Sequence, residues 1–158
     1  MSKPSYGIIR NPQLATYTER IGIGASEVFT ATGGRFVINA SGYLDAADGG
    51  DEALIGAVEY IGTSGSSNGD DEVAVQTSVD VWYELPATLN GTSRQTLTQA
   101  LIEAYRFDNA EIKVISSVQY VSTAAPTGNT LIIMGGDVVE NTLYVRLNPN
   151  ELGQAGVV

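Results

Sequence analysis

Apolar and polar positions alternate with a period of two in short runs along most of the chain, and glycine-rich turns separate the runs. The longest run is residues 72–85 (EVAVQTSVDVWYEL), in which Val73, Val75, Thr77, Val79, Val81 and Tyr83 fall on one face. Pro86 lacks the N–H that a ladder needs, so the pattern predicts that this strand ends there. Shorter strands are predicted over 27–31, 35–39, 43–45 and within 53–60, with turns at Thr32-Gly33-Gly34, Ser41-Gly42 and Asp48-Gly49-Gly50-Asp51. Strands resume over 111–121, 130–134 and 142–147. One segment has helical spacing instead, with Leu97, Leu101, Ala104 and Tyr105 on a common face. Thr96, three positions before Gln99, fits a capping box, and the helix is expected to stop near Phe107-Asp108-Asn109. Roughly nine short strands and one helix define a mainly β fold, a β-barrel or sandwich of short antiparallel strands.

The pattern is different at the N-terminus. Residues 1–26 show no sustained period; Pro4 and Pro12 interrupt them, yet Tyr6, Ile8, Ile9, Leu14 and Tyr17 are apolar. A solvated tail is normally poorer in such residues. The segment reads as an extended N-terminal arm that docks on a partner, or else as one packed back on its own domain. The expected organisation is an arm over 1–26, a β-rich domain over 27–150 and a C-terminal tail over 151–158. Residues 62–71 (GTSGSSNGDD) cannot bury enough apolar surface to offset the entropy of ordering them, which predicts a mobile surface loop.

Composition narrows the chemistry. The chain has 158 residues, enough for one domain with a peripheral segment, and contains neither Cys nor His. Disulfides, Cys/His zinc sites and His-dependent nucleophiles are therefore excluded. The net charge of −10 argues against nucleic acid or an anionic membrane as partner. That charge is uneven: residues 1–26 carry +2 and the remainder −12. Residues 2–20 contain no apolar run of signal-peptide type, so the protein is expected to be cytoplasmic when made.

Individual motifs add little. Residues 65–69 match G-x-S-x-G around Ser67, but the nucleophile elbow needs a His partner. Gly22-Ile23-Gly24 begins a dinucleotide fingerprint that Glu27 breaks. Asp45, Asp48, Asp51 and Glu52, and then Asp70-Asp71-Glu72, read as solvated acidic turns whose spacing does not fit a calcium loop. Glu59, Asp80 and Glu84 offer carboxylates, but nothing selects a catalytic pair among them. Trp82 and Tyr83 could line a sugar groove, although alternation puts one of them in the core. The sequons at Asn39 and Asn90 read as turns. No catalytic residue, cofactor or metal is expected.

Two groups of segments carry a resemblance. The first is Gly34-Arg35-Phe36-Val37-Ile38, then Ser41-Gly42-Tyr43-Leu44-Asp45-Ala46-Ala47-Asp48, then Ile55-Gly56-Ala57-Val58. The second is residues 80–86 (DVWYELP), the helix around Leu97-Thr98-Gln99-Ala100, and residues 141–149 (NTLYVRLNP). In that order they resemble the head-decoration, or cement, proteins of tailed bacteriophages. The resemblance implies a structural virion protein rather than an enzyme, sited on the capsid exterior. It would bind the major capsid protein as a homo-oligomer (trimer or dimer), bridge neighbouring shell subunits, and need neither nucleic acid nor membrane. In the arm, Tyr6, Ile8, Ile9, Leu14 and Tyr17 are the expected apolar anchors, with Arg10 and Arg20 pairing acidic shell groups. The competing readings are a tail, collar or fibre-base protein and then a carbohydrate-binding module, with an acid–base hydrolase behind both.

Overall fold

The structure, a computed structural model, describes residues 8–10, 17–29, 36–49 and 53–151. Within them the first strands are β1 (Ile8–Arg10), β2 (Tyr17–Gly22), β3 (Val28–Phe29), β4 (Phe36–Ala40), β5 (Tyr43–Ala46), β6 (Gly56–Ala57), β7 (Gly62–Thr63) and β8 (Glu72–Gln76). They are followed by β9 (Trp82–Thr88), helix α1 (Gln99–Tyr105), β10 (Asn109–Ile115), β11 (Val118–Ser122), β12 (Leu131–Asp137) and β13 (Thr142–Leu147). The fold is mainly β, with largely antiparallel pairing and one short helix, as the periodicity predicts.

Two sheets carry the architecture, each rolled on itself, and the larger apolar cluster also takes in Phe36, Ala47, Leu54 and Ala57 from the region of the smaller one. The larger runs β1-β9-β11-β10-β12-β13, and a further pairing of β9 with β13 closes it on itself. The single parallel contact in that closure is β9 with β11, through Val121↔Ala87 and Ser122↔Thr88. The closed strands contribute Tyr83, Leu85, Ile112, Val121, Ile133, Leu143 and Val145 to one apolar cluster, which Val81, just before β9, and Ile102 of α1 join. The smaller sheet runs β2-β8-β6-β4-β5. Its two ends approach where Ile23 bridges Leu44 and the Gly24 N–H donates to the Leu44 carbonyl at 2.9 Å. Ile23, Phe29, Val37, Leu44, Val58 and Val75 fill it. A third, two-stranded ribbon pairs β3 with β7.

Several expected elements are cut differently. The long alternating run is two strands in two sheets, β8 and β9. Between them Ser78 N–H bonds the Gln76 side chain and Asp80 N–H bonds the Ser78 hydroxyl, local contacts that turn the backbone while the alternation persists. Pro86 sits inside β9, opposite Thr142. On its other flank β9 changes partner, from β1 at Tyr83 to β11 at Ala87, so no rung on that flank needs the missing N–H. The predicted strand over 111–121 is the β10–β11 hairpin, turned by Ser116 and Ser117. The helix is capped by Thr98 rather than Thr96: the Thr98 hydroxyl accepts the Leu101 N–H at 3.2 Å.

The N-terminal and loop expectations also meet structure. Ile8–Arg10 pairs with β9, and Tyr17–Gly22 is a full strand of the smaller sheet, so these parts of the expected arm belong to the two sheets. Residues 62–71 are mostly exposed, with Ser64 buried, and they are tied down: Ser26 N–H bonds the Gly65 carbonyl, Gly69 N–H the Ile23 carbonyl and Ala25 N–H the Asn68 side chain. Those bonds hold a sequence too polar to be held by a core.

A buried amide joins the two sheets. Gln119 of β11 is 1% exposed. Its Nε2 donates to the Phe36 carbonyl at 3.0 Å and to the Ala47 carbonyl at 2.7 Å, and its Oε1 accepts the Phe36 N–H at 2.9 Å. Both donors and the acceptor of the amide are thereby used. Beside it the Phe36 and Tyr83 rings meet edge to face, with centroids 5.1 Å apart.

Replacing Gln119 with Leu leaves buried main-chain groups of Phe36 and Ala47 unpaired, which should cost about 3 kcal/mol and lower the melting temperature by about 6–12 °C. Calorimetry on the variant checks this, and a shift below about 2 °C would show that the amide is dispensable. Ser116 and Ser117 both have positive φ, 50° and 65°, in a two-residue hairpin turn of the kind that Asn-Gly prefers. The double substitution Ser116→Asn, Ser117→Gly should therefore raise the melting temperature by about 2–4 °C.

Candidate functional site

The expected arm residues are distributed rather than gathered. Tyr6 and Leu14 lie outside the described residues. Ile8, Ile9 and Arg10 form β1, registered through Ile8↔Tyr83 and Arg10↔Trp82. Tyr17 opposes Gln76 and is 49% exposed. The Arg20 guanidinium donates to the Glu72 carbonyl, so its charge is directed at the neighbouring strand of its own sheet.

The residues weighed for catalysis have structural positions. Ser67 lies in a surface turn, its N–H on the Asp70 carboxylate at 2.9 Å, and not at a strand-to-helix junction. Glu84 is buried and accepts the Thr142 hydroxyl at 2.8 Å, while Glu59 and Asp80 are exposed. Among the described residues no group of three or more acidic side chains is arranged to hold a metal ion. Asn39 and Asn90 serve turns: Asn39 accepts the Gly42 N–H, and Asn90 accepts those of Thr92 and Ser93.

One concave feature combines several unusual local structures. Alternation in β9 sends Tyr83 into the core and Trp82 to the opposite face. There Trp82, Tyr144 of β13, Met134, Gly135 and Gly136 of β12, and Arg106 and Phe107 after α1 line a shallow groove of about 480 Å³. The β12–β13 register shifts between Ile133 and Gly135, a bulge that sets Met134 out of the regular ladder. The Tyr144 ring lies over Gly135, where a Cβ would sit 3.5 Å from it. At Gly136 a Cβ would stand 2.6 Å from the Thr142 carbonyl and 3.0 Å from Ile102, so glycine there lets α1 press onto β12.

Phe107 is the most unusual residue of the groove. It follows the helix C-cap with φ +73°, where glycine or asparagine is usual, and its ring is 68% exposed. That conformation costs a bulky residue on the order of 1 kcal/mol. The backbone is pinned all the same: Phe107 N–H donates to the Ile133 carbonyl at 2.7 Å, and Ile133 N–H donates to the Asp108 carbonyl at 3.0 Å. Sequence reasoning reached Trp82 but missed Phe107, Met134 and Tyr144. The available signal was a Phe at the predicted helix stop. Gly135 and Gly136 lie within β12.

Among the described residues no helix is long and apolar enough to cross a membrane. No family model, no curated protein and no solved structure matches the chain.

The acidic turns yield a pH effect. Asp45 is held above the usual aspartate range, first by partial burial and then by the neighbouring charge of Asp48. Its carboxylate lies against Gly24, where a Cβ would meet Oδ1 at 2.1 Å. Between the unfolded and the raised folded value the native state holds the extra proton, so this contribution to stability falls as pH rises through that window. Asp45→Asn should therefore gain melting temperature relative to the parent as pH rises from about 3 to about 7. A gap independent of pH in parallel melts would contradict that assignment.

Proposed function

We propose that this chain is a structural virion protein that binds the outer surface of an assembled bacteriophage capsid and bridges neighbouring shell subunits. The observation that carries the reading is the distribution of exposed apolar side chains over two separate sheets. Val28 and Ile61 are 53% and 59% exposed on the β3–β7 ribbon. Val28 opposes Thr63, two residues from Ile61, so the three share a face. The second patch is Val138 and Val139 at the β12–β13 turn, the latter 80% exposed. A protein that bridges two neighbours needs two adhesive surfaces that face different ways, and exposed apolar clusters suit that role.

The likeness of the sequence to cement proteins supports the same reading, and a chain without His or Cys suits a role that rests on surface rather than chemistry. Tyr17, exposed on an edge strand of the smaller sheet, contributes to the shell-facing surface. Binding to the assembled shell and not to free subunits stabilises the shell by linkage. Oligomerisation as a trimer or dimer raises the effective concentration of each contact.

In purified particles of the source virus, the protein should be present at a ratio to the major capsid protein near one, or at a simple lattice fraction of it. The double variant Val28→Asp, Ile61→Asp should keep its melting temperature and bind shells at least about tenfold more weakly, as loss of a desolvated apolar contact requires. A dozen copies or fewer per particle would move the protein to a tail, collar or fibre base. Undiminished shell binding by the double variant would remove the ribbon from the interface.

A further inference from the structure

We propose that the groove between Trp82, Tyr144 and Phe107 binds the pyranose ring of a neutral oligosaccharide. The inference does not depend on the shell-binding reading, since it uses neither the β3–β7 ribbon nor the β12–β13 turn.

Three features point to a ligand. A strained and exposed aromatic residue is held in place by reciprocal backbone bonds to β12. A bulge in that same strand displaces Met134 into the groove wall. Three aromatic side chains, Trp82, Tyr144 and Phe107, line the same concavity. Bulges and strained residues concentrate where a surface has been shaped to hold something.

The chemistry of the lining selects the class of ligand. Trp82, Tyr144 and Phe107 line the groove with aromatic side chains, while the Arg106 guanidinium supplies hydrogen-bond donors. A pyranose matches this arrangement, because one face presents C–H groups and its rim carries hydroxyls that accept from such donors. Nucleobases also stack on aromatic side chains, but their phosphates would meet a protein of net charge −10. A protein partner is a poorer fit, because stable protein interfaces cover about 800 Å² on each side. The groove's volume of about 480 Å³ lies within the range of small-ligand sites.

Trp82 is the sole tryptophan, so its fluorescence reports on this groove alone. The full-length protein is screened on an array of neutral hexose and N-acetylhexosamine oligosaccharides, and hits are titrated by tryptophan emission and calorimetry. Saturable binding to a neutral glycan is expected, accompanied by a shift in Trp82 emission. Phe107→Gly is the decisive variant: it should raise the melting temperature by relieving the positive φ, yet weaken binding at least tenfold. Tyr144→Ala should weaken it as well, without changing the oligomeric state. The proposal is overturned if no neutral glycan binds the folded protein. It is overturned equally if Phe107→Gly binds as the parent does, if only polyanions bind, or if the emission shift follows protein concentration alone and so reports a second copy.

Discussion

The two sheets share no backbone ladder, so side chains join them: Phe36, Ala47, Leu54 and Ala57 enter the larger apolar cluster, and one buried amide bonds across. Gln119 does this by presenting, from a barrel strand, a donor-and-acceptor edge like that of a peptide group to Phe36 and Ala47 of the smaller sheet. Phe36 N–H and the two carbonyls receive the partners that a further strand would have offered. The amide bonds directly across from one sheet to the other, and the Phe36–Tyr83 ring contact packs between them. The Tyr83 hydroxyl is carried to a buried position without a hydrogen-bond partner among the described residues. Burial, followed by the nearby Tyr17 and Glu59, makes that hydroxyl harder to ionise. A buried hydroxyl without a partner costs stability, in contrast to the fully bonded amide beside it.

The β texture was legible because alternation, glycine turns and a single helical stretch are local signals. The Ser41-Gly42 turn is an example: both residues have positive φ, as a tight hairpin requires. What alternation cannot encode is which sheet a strand joins. Val75 and Val81 obey one period, yet they enter different cores, because a short Ser/Asp turn rotates the chain between them. The Ser116-Ser117 turn carries no glycine to announce it. Gln119 looks like a solvent-facing polar position in its strand, and only its long-range partners make it structural. The groove was half legible: one aromatic of the Trp82-Tyr83 pair had to face outward, but Tyr144 and Phe107 reach it through pairings distant in sequence.

Most of the groove is built on strands and on a helix terminus bonded to a strand, not on free loops. Sites of that kind hold their shape before a ligand arrives and lose little conformational freedom when one binds. The apolar patches on the β3–β7 ribbon and the β12–β13 turn differ in this respect. They sit on short, protruding elements, which suits contact with a broad and repetitive surface better than selection of a small molecule. The chain therefore carries both a shaped concavity and exposed apolar projections.

The order of the strands along the chain has a consequence for how the molecule assembles. The smaller sheet is drawn from a continuous stretch, β2 to β8, and the closed part of the larger sheet from another, β9 to β13. Each stretch can make its contacts within itself, but its closing pairs, β2 with β8 and β9 with β13, join strands about fifty to sixty residues apart, the non-local kind of contact that slows folding. Only β1 breaks the rule, because Ile8–Arg10 pairs with β9 across the whole of the smaller sheet's sequence. During synthesis β1 leaves the ribosome well before its partner exists, and it must stay unpaired until the barrel that receives it has begun to form.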